Sequence, residues 1–131
     1  PLASGFDQLL KELPDSVAAY AIRGPLFFAA AEKALNVLRR FNPQVRVVII
    51  DLSGVPLLDM TALAALDNVL RDYRQQGIGL ILCGASANVR LKLRRAGIHR
   101  RQSRLAYVAD LPRAHAKALH WLEEGPALTA P

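Results

Sequence analysis

The segment V-V-I-I-D-L-S-G-V-P-L-L-D-M-T-A-L, Val47 to Leu63, changes its periodicity part-way along. An apolar run rich in β-branched residues ends in Asp51-Leu52-Ser53-Gly54, and a second aspartate, Asp59, heads a helix-like pattern. A buried strand, a tight polar loop and a capped helix are expected in that order. A helix N-terminus presents unpaired N–H groups and the positive end of its dipole, which suits an anion, a phosphate or a partner's carboxylate. The plainer role for Asp59 is an N-cap that satisfies those N–H groups itself. Asp51 is expected to anchor the Ser53-Gly54 turn, because no histidine or second acid lies close in sequence to share a proton with it.

Outward from this segment the chain alternates strand and helix. Upstream, Val17–Ile22 reads as a strand, Arg23-Gly24-Pro25 as a turn and Leu26-Phe27-Phe28 as a short second strand. Residues 29–41 carry Ala31, Ala34, Leu35, Leu38 and Phe41 on one stripe, a helix that Asn42-Pro43 stops. Val45–Leu52 then reads as a strand buried on both faces, as at the centre of a parallel sheet. Downstream, a helix from Met60 to Gln76 turns Leu63, Leu66, Leu70 and Tyr73 inward and stops at Gly77. Ile78–Cys83 is the next strand, and Ser86 caps a helix with Val89, Leu93 and Ala96 inward that ends at Gly97. Arg104–Val108 adds an edge strand, and Asp110 caps a last helix with Leu111, His115, Ala118, Leu119 and Leu122 on its inner side. The fold class is α/β: a central mixed, mostly parallel sheet of about four or five strands with about four helices and an antiparallel pair at one edge.

Composition bounds the function. A chain of 131 residues, 52% hydrophobic and 21% charged, forms one domain with a single core and has no apolar run long enough to cross a bilayer. The lone Cys83 excludes an internal disulfide and fits a reducing compartment, where it is expected to be a buried small hydrophobe. The chain opens on Pro1 and not methionine, as an excised piece of a longer protein would. Net charge is +6, and Arg90, Lys92, Arg94, Arg95, Arg100, Arg101 and Arg104 follow one another with no acid among them. Such a basic face draws acidic proteins, anionic headgroups or phosphate-rich partners; its plain alternative is a solvated helix face. Nucleic acid is the weakest candidate and none is expected as a partner, since the run lacks interleaved aromatics and no nucleic-acid motif accompanies it.

The order of strand, G-P-L-F-F-A, helix, D-L-S-G-V-P-L-L-D-M-T-A-L, helix, strand and a basic helix ending in A-G-I resembles the STAS domain of bacterial SulP-type anion transporters. The resemblance spans Val17 to Glu124 and is related in fold to anti-sigma-factor antagonists. It implies a sheet covered by helices, no enzymatic activity, no cofactor, and a regulatory, protein-interaction role at the cytoplasmic face of the cell membrane. There it would serve a transporter of sulfate, bicarbonate or dicarboxylate. It also implies a division into a lead-in over 1–16 from an upstream membrane domain, the STAS domain over 17–124 and a flexible tail over 125–131.

One position departs from the antagonists, in which the residue after the second aspartate is commonly a serine phosphorylated by a partner kinase. Here it is Met60, with no hydroxyl to accept phosphate. Thr61 is the nearest candidate for phosphorylation, but its hydroxyl points about 100° around the helix from that acceptor. The expected docking surface therefore combines Asp59, Met60 and Thr61 with Arg90, Arg94 and Arg95. Its partners would be the transporter's own membrane domain or an acidic cytosolic protein such as acyl carrier protein, drawn by charge.

Other readings are weaker. A free-standing anti-sigma-factor antagonist is opposed by Met60 and by the G-P-L-F-F stretch. A nucleotide- or anion-sensing module gains little, because Gly84–Ser86 lacks the lysine and glycine density of a phosphate loop. No catalytic residue is assigned, and Ser53 lacks the G-x-S-x-G elbow of a serine hydrolase. No metal site is expected either: His115 and His120 are five apart, not in ligand register, and His99 has no cysteine partner nearby. Phe27 and Phe28 are a candidate docking pair, with core packing of at least one as the plainer role.

Overall fold

Four strands lie side by side in the order β1 (Val17–Arg23), β2 (Val47–Gly54), β3 (Gly79–Cys83) and β4 (Leu105–Val108), and each neighbouring pair runs parallel. The computed structural model of the chain describes residues 11–24, 44–98 and 104–125. Three helices stand among the described residues: α1 (Met60–Gln76), α2 (Ala87–Arg95) and α3 (Leu111–Glu124). Parallel neighbours need a crossover, and α1 and α2 supply it between β2 and β3 and between β3 and β4. The expected parallel sheet is present. The turn at Pro25, the strand expected at 26–28 with its antiparallel pairing, and the helix expected at 29–41 lie outside the described residues. So do the lead-in to residue 10, His99 to Ser103 and residues 126–131.

The sheet is covered on both faces, and the pleat of β2 shows how. Val48, Ile50 and Leu52 join Leu63, Leu66, Leu70 and Tyr73 of α1 and Val89 and Leu93 of α2 in one core. Val47 and Ile49 join Ala114, Ala118 and Trp121 of α3 in the other. That two-sided burial is why β2 reads as a continuous apolar run. Each Leu or Ile so buried contributes about 1.5–3 kcal/mol relative to exposure.

α1 has the bounds expected of it. Asp59 caps its start, and Gly77 at φ 73° closes its end. Gly77 N–H donates to Arg74 O, and Ile78 N–H donates to Tyr73 O at 2.8 Å, so two terminal carbonyls are satisfied by the left-handed turn. α2 ends the same way through Gly97 and Ile98.

Four expectations are corrected. β2 runs on through Ser53 and Gly54, because Gly54 pairs with Arg23 and its carbonyl accepts from Gly24 N–H at 2.8 Å. The loop before the helix is therefore Val55 to Asp59, apolar but for its last residue, and not the polar Asp51–Gly54 stretch. On α3, Trp121 and not Leu119 completes the buried stripe with Ala114 and Ala118, because its ring lies over Gly79, where no side chain competes for the space. Leu119 is exposed. Ala96 is exposed, and Ile98 takes the buried place beyond the end of α2.

Candidate partner-docking site

Strands β2, β3 and β4 end at the same edge of the sheet, and α1, α2 and α3 all begin there. Each helix start is capped by its own side chain: Asp59 accepts from Ala62 N–H, Ser86 from Val89 N–H and Asp110 from Arg113 N–H. The free N–H groups that would attract an anion are thus partly occupied at all three helices. Asp51 accepts from Ser53 N–H at 2.9 Å and lies beside Gly84, as expected of an anchor for this edge.

The start of α1 is the most exposed apolar feature of the described residues. Met60 is 80% exposed and Leu57 41%, with Pro56 exposed beside them. Asp59 Oδ1 accepts from Ala62 N–H and from Thr61 Oγ1–H, both at 2.7 Å. These bonds, with Lys92 nearby, hold the Asp59 carboxyl below its ordinary range. Thr61, exposed as a modification site requires, has its hydroxyl engaged in the cap.

α2 lies against this loop. Lys92 Nζ donates to Leu58 O at 2.8 Å, which joins the basic helix to the residue before the cap. Lys92 is the candidate residue that sequence reasoning left out of the surface; the contact spans 34 positions, and only its place in the basic run pointed to it. Arg90, Arg94 and Arg95 are exposed. Val89 and Leu93 point into the core, so Leu91 lies on the outer face with Arg94 and Arg95 one turn further on, at i+3 and i+4.

The basic run does not make a single face. Arg104 sits before β4, at the opposite edge of the sheet, where its guanidinium donates to Trp121 O at 3.0 Å and lies 5.7 Å from the centre of the indole ring. Arg94 lies within electrostatic reach of Tyr107, whose hydroxyl donates to Ile98 O. Burial pushes the Tyr107 phenol up to about 12 against the opposing charge of Arg94. The structure thus brings Asp59, Met60 and Thr61 together with Lys92, leaves Arg90, Arg94 and Arg95 exposed on α2, and carries Arg104 away from them, against Trp121.

The remaining candidates, Cys83, His115 and His120, lie apart from this loop. Cys83 is fully buried, and its thiol is pushed up to about 12, first by burial and then by the carboxylates of Asp51 and Asp110. His115 is half-buried on α3, and His120 is exposed 3.5 Å from Glu124. No cluster of three or more metal-ligating side chains occurs among the described residues. No helix among them is long and apolar enough to cross a membrane.

Comparison with known proteins places this geometry. The profile of the STAS domain family matches residues 8–108. The chain is 26% identical over 99 residues to the bicarbonate transporter BicA of Synechocystis, covering 76% of this chain and 17% of BicA. It therefore spans about a sixth of that relative's length. It is 28% identical to the solved STAS domain of a SulP transporter from Vibrio cholerae, with a TM-score of 0.72 over 92% of this chain and 98% of that one. A sulfate transporter family protein from Wolinella succinogenes is 27% identical, with a TM-score of 0.73 over 85% of this chain and 91% of the other. The unphosphorylated anti-sigma factor antagonist SpoIIAA shares the fold at 13% identity, with a TM-score of 0.60 over 82% of this chain and 93% of its own.

Proposed function

Because the chain belongs to the STAS domain family, we propose that it is the non-enzymatic regulatory and protein-interaction domain of a SulP-type anion transporter, held at the cytoplasmic face of the cell membrane. The observation that carries this reading is the likeness to the Vibrio cholerae domain, which extends over nearly all of both chains at 28% identity. The names of the relatives make bicarbonate or sulfate the leading candidates for the anion. Met60 supports the transporter branch, since it puts a thioether where a phosphate-controlled antagonist needs a hydroxyl.

The docking surface is formed by exposed Leu57, Met60 and Thr61 around the start of α1, with the near flank of α2. Its apolar centre, Leu57 and Met60, would fill a partner's pocket while Lys92 and Arg95 steer an acidic rim toward it. The transporter's own membrane domain and a small acidic protein such as acyl carrier protein both have the chemistry to fit. The reading frame upstream of Pro1 tests the assignment: about ten or more apolar spans are expected, and a start codon close to Pro1 would overturn it. The surface is tested by capture from cytosol, where Met60→Glu and Arg95→Glu should each release the partner. Capture that ignores both substitutions refutes the site.

A further inference from the structure

We propose that the outer face of α2 is a membrane-contact surface that takes anionic phospholipid headgroups, with Arg94 and Arg95 as the phosphate-facing cations and Leu91 as the residue that enters the interface. The proposal rests on the reading of the domain as tethered to a bilayer, and it adds a second contact on the outer face of α2, which shares Arg95 with the rim of the protein-docking surface.

Charge accounting singles out this helix. On α1, Arg71 is paired with Asp67 at 2.7 Å, and on α3 Arg113 is paired with Asp110 and His120 lies near Glu124. α2 carries Arg90, Lys92, Arg94 and Arg95 and no acid, and none of the four makes an ion pair among the described residues. Lys92 is committed to the Leu58 carbonyl, which leaves the three arginines for a ligand. The field from this helix is therefore uncompensated locally, the condition under which an anionic surface is attracted.

The apolar residue decides between a bilayer and an acidic protein. Leu91 is 43% exposed and points directly away from the core, with Arg94 and Arg95 on either side of it. A leucine on a convex helix face, ringed by guanidinium groups, has the arrangement of an interfacial helix: cations at the phosphate level and a short apolar wedge below it. Arginine suits the phosphate level because its fork donates two hydrogen bonds to a phosphate diester.

Each arginine near an anionic surface is worth about a five-fold change in partition. The test is co-sedimentation of the 131-residue chain with vesicles of phosphatidylglycerol mixed with phosphatidylcholine, against vesicles of phosphatidylcholine alone. Sedimentation is expected with the anionic vesicles only, and it should weaken as salt is raised. Arg94→Ala with Arg95→Ala should lower the partition by about thirty-fold, and Leu91→Ala by about five-fold. The paired Arg→Lys variant should keep most of the binding. Equal partition onto both vesicles, no partition onto either, or partition that ignores the arginines overturns the proposal. Arginine variants that release an acidic protein from a chain that never sediments also overturn it, by making α2 a protein site. The reading frame is scored without vesicles, so a chain that fails to sediment leaves the transporter assignment standing.

Discussion

Gly79→Ala is expected to destabilise the domain through a single rigid contact. A Cβ at Gly79 would stand 2.7 Å from both Cε3 and Cζ3 of Trp121 and 3.3 Å from Arg104 Cβ. Carbon atoms at ease lie about 3.5–4.0 Å apart, so the indole has to move by about 0.8 Å or more. It cannot do so freely. Arg104 donates to the Trp121 carbonyl at 3.0 Å, and Lys117 approaches the ring at 5.8 Å on the same helix. Forcing a methyl into such a site costs about 1–3 kcal/mol. The stiffer unfolded chain returns about 0.4–1 kcal/mol, which leaves a net loss of about 0–2.6 kcal/mol, with a mid-range of about 1.3 kcal/mol that lowers the melting point of a domain of this size by about 4–8 °C. Trp121 is the sole tryptophan, so its emission reports the unfolding and the displacement together. Urea titration followed by fluorescence should show a lower midpoint and a shifted native spectrum. In a Trp121→Leu background, Gly79→Ala should cost less, and circular dichroism measures that coupling. A midpoint at or above that of the parent with an unchanged spectrum, or full additivity in the double variant, would refute the reasoning.

Three further outcomes follow from the site. The Asp59 carboxyl is held below 3.8 by the Ala62 N–H and the Thr61 hydroxyl, so its stabilising charge is fully present above that value and is lost as pH falls through its lower folded value. The stability gap to Asp59→Asn should therefore be constant near neutrality and close in acid, and a gap independent of pH in urea titrations would exclude the mechanism. Cys83, with its thiol raised to about 12, should resist alkylation at about pH 8 in the native state and react once urea opens the core, as mass spectrometry of the adduct will read. Gly84→Ala combines a left-handed φ of 72° with contacts of 2.9 Å to Ser53 Cβ and 3.0 Å to Asp51 Oδ1. It should cost about 2 kcal/mol or more by chemical denaturation, and a neutral result would mean that the β2 edge yields easily.

What was legible in the sequence is what local chemistry decides. α1 could be bounded because Asp59 and Gly77 each act within a few residues, and its inner stripe of Leu63, Leu66, Leu70 and Tyr73 follows from periodicity alone. The strands were legible because parallel neighbours bury both of their faces. Contacts between distant segments were not. That Gly54 belongs to β2 depends on its pairing with Arg23. That Trp121 outranks Leu119 depends on an absent side chain at Gly79, 42 positions earlier. The basic run looked continuous, but Arg104 stands at the start of β4 against Trp121 of α3, while α2 packs in the core on the other face of the sheet. Of the proposed docking residues, Asp59, Met60 and Thr61 stand together at the start of α1, while the connection that joins this loop to α2 is a lysine bonded to a backbone carbonyl, which no side-chain pattern announces.

That connection bears on how such a surface would be controlled. Covalent switching at the start of α1 needs a free acceptor hydroxyl and a cation ready to meet the new charge. Met60 supplies no hydroxyl, and the Thr61 hydroxyl already donates to Asp59 at 2.7 Å. A phosphate on Thr61 would lose that donor and face the Asp59 carboxylate across the same short distance, a repulsion that the helix dipole only partly offsets. The nearest cation, Lys92, is held by the Leu58 carbonyl and would have to abandon the loop to answer it. Under the proposed function, the apolar loop is then permanently presentable, and its occupancy depends on what stands near it: the concentration of an acidic partner, the ionic strength, or the charge of the bilayer against α2. Lys92 makes these inputs interdependent. A ligand that draws the α2 cations outward pulls against the bond that positions Leu58, and so alters the loop on which Leu57 and Met60 are displayed.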